Sequence, residues 1–215
     1  MRKTIVFDMD GVILDSEELV INCWKKVSAD YNIDNIEQVF MKCLGTNNDR
    51  TREIFQEHYA DVNYDEFKSK AAAIFHQVAD AGGLNLKAGI REILDYLKLE
   101  NYGIALATST RRVSASKLLA DENLLQYFEG QIYGDEVTYS KPNPEIYEKA
   151  CKSILADSQK TYAIEDSYNG IRSAYEAGMM PIMVIDKLEA NDEMREKAVF
   201  IADNLFEVIE FLKGV

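Results

Sequence analysis

Residues 4–11 read TIVFDMDG. Thr4-Ile5-Val6-Phe7 is a short β-branched and aromatic run that stops at an acidic, glycine-containing turn, as a strand buried on both faces of a parallel sheet does. Four more runs of the same kind follow much later: Gly103-Ile104-Ala105-Leu106-Ala107, Gly130-Gln131-Ile132-Tyr133, Thr161-Tyr162-Ala163-Ile164 and Pro181-Ile182-Met183-Val184-Ile185. Helical spacing separates them. Ile90, Ile93, Leu94 and Leu97 fall at i, i+3, i+4 and i+7, and similar stripes occupy 111–120, 144–155 and 168–177. Strands alternating with helices predict an α/β fold, a doubly wound parallel sheet.

The segment between the first two strands has a different character. Residues 16–82 contain no convincing strand, and two apolar stripes run through them at helical spacing: Leu19, Val20, Cys23, Trp24, Val27 and Tyr31, then Phe67, Ala71, Ile74, Phe75 and Val78. The reading is an α/β core from 1–15 and 83–215, with an all-helical domain of residues 16–82 inserted after the first strand. Gly82-Gly83 serves either as a flexible return joint or as a helix terminator.

Composition narrows the function classes. The 215 residues are 47% hydrophobic and 28% charged, an ordinary globular balance, with no apolar run approaching the roughly 18–20 residues that span a bilayer. The N-terminus enters a strand directly, without the apolar core of a secretory signal, so a cytoplasmic protein without a membrane partner is expected. Cys23, Cys43 and Cys151 are odd in number and lack metal-ligand spacing, which argues against disulfides and zinc. A net charge of −13 suits no nucleic-acid backbone. A monomer is expected, and an anionic substrate must be met by a metal or by a few placed cations.

In an open α/β sheet, ligands bind beyond the carboxyl ends of the strands. There the first strand offers Asp8 and Asp10, the second Thr108, Ser109 and Thr110, the third a loop with Ser140, Lys141 and Pro142, and the fourth Glu165 and Asp166. Carboxylates hold a hard divalent cation, hydroxyls and backbone N–H groups take phosphate oxygens, and a lysine adds a compact positive charge. Phosphoryl transfer needs little else. One of the paired acids can attack phosphorus as a carboxylate while the other carries a proton for the leaving oxygen and later takes one from water. Each signal alone has a plainer meaning: an Asp-Gly turn, a helix cap, a solvated lysine. Four in order along one sheet favour the chemistry.

These residues resemble the haloacid dehalogenase superfamily in four motifs: IVFDMDGVILDSE at 5–17, IALATST at 104–110, the lysine of YSKPNPEIY at 139–147, and the acidic pair of AIEDSYNGIRSAYEAG at 163–178. The resemblance covers nearly the whole chain. It implies Asp8 as nucleophile, Asp10 as general acid and base, and Thr108 and Lys141 as phosphate ligands. It further implies Mg²⁺ held by Asp8, the Asp10 backbone carbonyl and Asp166, with Glu165 a ligand or the partner of one. The helical insertion is similar to the cap of the beta-phosphoglucomutase-like and phosphoglycolate phosphatase-like subgroup, and caps choose the substrate. The substrate expected is a small phosphorylated metabolite such as a sugar phosphate, hydrolysed through an aspartyl-phosphate.

A phosphomutase is the alternative, weakened because Val20 stands where the mutase pattern has a histidine; a non-catalytic binding protein on the same fold is the third reading. LGTNNDRTREIF, residues 44–55, resembles the subgroup's specificity loop. Arg50 or Arg52 there, and Arg111 after the second motif, are candidate contacts to an anionic substrate, with Ser109 and Thr110 beside Thr108. His58 and His76 are expected to take no part, Trp24 to belong to a core, and Asn169 and Gly170 to shape a helix start.

Overall fold

The computed structural model describes residues 2–44, 46 and 48–215. Six parallel strands form one sheet: β1 (Thr4–Phe7), β2 (Gly103–Ala107), β3 (Gly130–Ile132), β4 (Thr161–Glu165), β5 (Met180–Val184) and β6 (Phe200–Ala202), in the order β3-β2-β1-β4-β5-β6. The doubly wound α/β sheet is therefore present, with one strand more than the sequence reading. β6 is only three residues long, half-buried over Phe200 and Ile201, too short for a periodic signal. It joins through Ile182↔Phe200 and Val184↔Ala202.

β1 is central because all four of its residues are buried. It pairs with β2 from Thr4↔Gly103 to Phe7↔Leu106 and with β4 from Thr4↔Thr161 to Phe7↔Ile164. Alternation sends Val6, Ala105, Ala107 and Ala163 to one face, where they pack with Ile146, Tyr147, Ala150 and Ala174. On the small side chains of this face helices can approach closely.

The chain divides into two compact units. One comprises the chain through Leu14 together with Leu86–Val215, and the other is Asp15–Asn85. Within the second lie α1 (Ser16–Ser28), α2 (Ile36–Cys43), α3 (Asn48–His58) and α4 (Tyr64–Asp80), with no strand among the described residues. Trp24 on α1 meets Phe40, Phe55 and Phe67 edge-on at 5.2, 5.9 and 5.3 Å, a geometry worth about 0.5–1.5 kcal/mol per pair beyond area burial. Asn63 caps α4 by accepting from the N–H groups of Asp65 and Glu66.

The first unit carries α5 (Ile90–Leu99), α6 (Arg112–Asp121), α7 (Glu145–Ser153), α8 (Tyr168–Glu176), α9 (Asp192–Lys197) and α10 (Leu205–Lys213). No helix among the described residues is long and apolar enough to cross a membrane.

Candidate active site

The connections reverse direction at β1: β2 and β3 lie on one side of it and β4, β5 and β6 on the other. A crevice forms at the carboxyl ends of strands flanking such a switch. Asp8 is the first residue past β1 there, its N–H donating to the Ile164 carbonyl of β4 at 3.0 Å. That bond fixes where its carboxyl starts.

Lys141 reaches this point from the loop between β3 and α7. Its side chain is 8% exposed, and its ammonium donates to Asp8 Oδ1 at 2.6 Å, Glu165 Oε1 at 2.6 Å and the Ala107 carbonyl at 3.1 Å. All three protons are thereby used. The loop is shaped by Glu145, whose Oε2 accepts from the N–H groups of Thr138 and Tyr139, both at 2.9 Å. Lys149 with those two N–H groups holds the Glu145 carboxyl down to about 2. Ser173 of α8 donates to the Asn143 carbonyl at 2.6 Å, tying the loop's far end to that helix.

Glu165, fully buried, also accepts from the Tyr147 hydroxyl on Oε1 at 2.7 Å and from Ser167 N–H and Oγ on Oε2 at 3.2 and 3.0 Å. Two donors on each oxygen fill a carboxylate's capacity. Ser167 in turn caps α8 by accepting from Gly170 N–H, so this serine, and neither acid, is the cap.

Burial pushes the Asp8 carboxyl up to about 8; Lys141 pulls it down, and Glu165 and Asp10 push it further up. Burial alone would lower Lys141, but Asp8 and Glu165 outweigh it and raise the ammonium. Burial, then Glu165, raises the Tyr147 phenol well above its usual range, so it remains a donor.

Asp8, Glu165 and Asp166 each offer a carboxylate oxygen, and these lie within 4.8 Å of one another. Asp8 and Asp166, beside a Glu165 that holds the Lys141 ammonium, suit a hard divalent cation. Two glycines make the space. A Cβ on Gly11 would lie 2.2 Å from Asp166 Oδ2, and one on Gly170 would lie 1.9 Å from the Glu165 carboxylate. Gly11 also has φ +82°, a conformation that L side chains rarely adopt. The residues present therefore fit a metal ion.

Asp10 faces the β2 loop. Thr110 Oγ1 donates to Asp10 Oδ2 at 2.7 Å and Thr108 Oγ1 does so at 3.4 Å, while Thr108 Oγ1 accepts from Thr110 N–H at 3.0 Å. Gly134 holds this loop close: its N–H donates to the Thr110 carbonyl at 3.0 Å, and a Cβ there would lie 2.0 Å from the Ser109 carbonyl oxygen. Thr108 and Ser109 do not cap α6, whose N-cap is Arg111.

Residues 5–184 match the family described as haloacid dehalogenase-like hydrolase. The chain belongs to the haloacid dehalogenase-like hydrolases. Among curated members of the family it is 27% identical over 219 residues to the phosphorylated carbohydrates phosphatase of Thermotoga maritima, covering 99% of both chains. It is 26% identical to the beta-phosphoglucomutase of Bacillus subtilis, covering 85% of this chain and 83% of that one. A crystal structure of a candidate beta-phosphoglucomutase from Thermotoga maritima superposes with a TM-score of 0.81 at 27% identity over 99% of each chain.

In this haloacid dehalogenase-like hydrolase, then, Asp8, Asp10, Thr108, Thr110, Lys141, Glu165 and Asp166 share one sheet edge, with Ser109 exposed in the same β2 loop. Arg111 is exposed at the start of α6. Arg50 and Arg52 are in the helical unit: Arg50 pairs with Glu53 and Glu57 at 2.8 and 3.4 Å, and Arg52 pairs with Asp65 at 2.5 Å. Gly45 and Asn47 of the 44–55 segment lie outside the described residues. Trp24 is core, Val20 packs against the same cluster, and His58 lies on α3 with its Nε2 2.9 Å from Lys42 Nζ. His76 is exposed on α4. Sequence reasoning missed Tyr147, whose hydroxyl braces Glu165; Tyr147 reads as one more apolar position of the 144–155 stripe.

Proposed function

We propose that this haloacid dehalogenase-type phosphatase hydrolyses a small phosphate monoester, a sugar phosphate or similar metabolite, in a Mg²⁺-dependent reaction through an aspartyl-phosphate on Asp8. The observation that carries it is the buried Asp8 carboxylate, fixed by Lys141 at 2.6 Å and flanked by Glu165 and Asp166. The phosphatase relative matched end to end supports the substrate class.

The chemistry follows from these side chains. A carboxylate oxygen of Asp8 forms a bond to phosphorus as the ester oxygen's bond to phosphorus breaks, and Asp10, oriented by Thr110, gives that oxygen its proton. Asp10 then takes a proton from water, whose oxygen displaces Asp8 and releases inorganic phosphate. Lys141 and the hydroxyls of Thr108 and Ser109 meet charge on the phosphoryl oxygens. Arg111 and Arg50 are the cationic contacts for the rest of the substrate. Asp8, Asp166 and the Asp10 backbone carbonyl would hold Mg²⁺, which would supply positive charge against the phosphoryl oxygens. Glu165, whose lone pairs are already filled by Lys141, Tyr147 and Ser167, serves to hold Lys141 in place. Small-metabolite binding without nucleic acid or membrane agrees with the −13 charge, and the reading includes a cytoplasmic monomer.

Hydrolysis is preferred over mutase action because Val20 packs into an apolar cluster and offers no polar group to guard an aspartyl-phosphate. The test is a panel of sugar phosphates and an aryl phosphate with and without Mg²⁺, scored for inorganic phosphate. Release that needs Mg²⁺ and is lost in Asp8→Asn supports the reading. Folded enzyme that releases none, or that interconverts hexose phosphate isomers in the presence of a bisphosphate, overturns it.

A further inference from the structure

Beyond the four motifs, one buried acid at the same sheet edge has an unused oxygen. Asp186 follows β5 by two residues, and its side chain is 6% exposed. Its Oδ1 accepts from Lys87 Nζ at 2.7 Å, whereas its Oδ2 is buried with no hydrogen-bond partner among the described residues. Buried carboxylate oxygens are ordinarily satisfied, and one left over marks a place where a donor outside the protein fits. Asp186 also offers an oxygen within 4.8 Å of one on Asp166. Lys87 is itself fixed, its N–H donating to the Ile13 carbonyl at 2.9 Å just past the Gly11 turn.

We propose that Asp186 is a positioning residue for the divalent cation at Asp166, with its Oδ2 accepting a hydrogen bond from the ion's hydration shell. This rests on the Mg²⁺ reading above. Mg²⁺ sheds water reluctantly and keeps several waters when protein carboxylates bind it, so its site needs acceptors beyond the ligands themselves. Lys87 compensates the charge of Asp186, which makes it a poor site for a cation of its own and a suitable acceptor for a neighbouring one.

The experiment is calorimetric titration of the full chain with Mg²⁺, repeated with Mn²⁺ followed by its EPR signal, for wild type, Asp186→Asn and Lys87→Met, each checked for folding by circular dichroism. Asp186→Asn is expected to weaken the ion by about tenfold or more, the range seen when such outer partners are removed. Lys87→Met, which leaves the carboxylate and unmasks its charge, is expected to bind the ion as tightly as wild type or more so. Unchanged affinity in Asp186→Asn overturns the proposal. Equal weakening in both variants also overturns it, since that is the mark of a structural tether. If Asp186→Asn does not fold, Lys87→Met decides alone: weaker binding overturns, equal or tighter binding supports. A folded wild type that binds neither ion instead defeats the metal reading itself.

Discussion

The two compact units treat charge in opposite ways. At the sheet edge of the α/β unit, Asp8, Glu165 and Asp166 are buried around the 8%-exposed Lys141. In Asp15–Asn85, the buried polar residues among those described are Ser16 and Ser28, and the ion pairs Lys25–Glu37, Arg50–Glu53, Arg52–Asp65 and Lys70–Glu66 sit at the surface around an aromatic core. Burying like charges together costs stability, and a site keeps them only where chemistry uses them. The helical unit is built for packing; the sheet edge is built for reactivity.

Substitutions in the two units should act on different properties. Asp8→Asn should lower turnover on the order of 10³-fold or more, yet hold or raise the melting temperature without metal, because it removes one member of a crowded acidic group; calorimetric melts beside phosphate-release assays check both. Lys141→Met should cost on the order of 10²- to 10³-fold in turnover and also destabilise the metal-free protein, since Asp8 and Glu165 lose the ammonium between them. Trp24→Ala should behave in the opposite sense: about 3–5 kcal/mol of stability lost from the helical unit, seen in urea unfolding, while Mg²⁺ affinity at the sheet edge is retained.

The sheet edge should also respond to pH. In the metal-free protein Asp8 is raised from 3.8 to about 8. Its contribution to stability is therefore fully present below about 4 and lost as pH rises toward 8. A divalent cation replaces the missing positive charge, so the melting-temperature gain on adding Mg²⁺ should be larger at pH 8 than at pH 6. The smallest effect belongs to the helical surface: Arg52→Ala removes an exposed pair with Asp65, and the melting temperature should not move measurably.

The strands β1 to β5 and the strand-end acids were legible because short apolar runs and the residues that follow them are local signals. β6 was not: it is three residues at the sheet's edge, of which Phe200 and Ile201 are half-buried and only Ala202 is buried. Thr110 was legible only as a loop hydroxyl; that it, more closely than Thr108, holds Asp10 depends on how Gly134 pulls the loop in. The hydroxyl of Tyr147 and the carboxylate of Asp186 were invisible for a related reason. Each takes its meaning from a partner 18 or more residues away, Glu165 for Tyr147 and Lys87 for Asp186, and no spacing rule records such pairs.

The chain leaves and re-enters the α/β unit at one spot. Leu14 and Leu86 form an antiparallel bridge, and immediately beyond them Asp15 N–H donates to the Asn85 carbonyl at 2.9 Å. The two crossings thus run as a miniature hairpin stem whose loop happens to be an entire folded unit. Antiparallel neighbours can be closed by two residues such as Asn-Gly, so the stem is a natural splice point. Neither Leu14 nor Leu86 belongs to a strand of the sheet, so the stem stands between the insertion and the sheet's register.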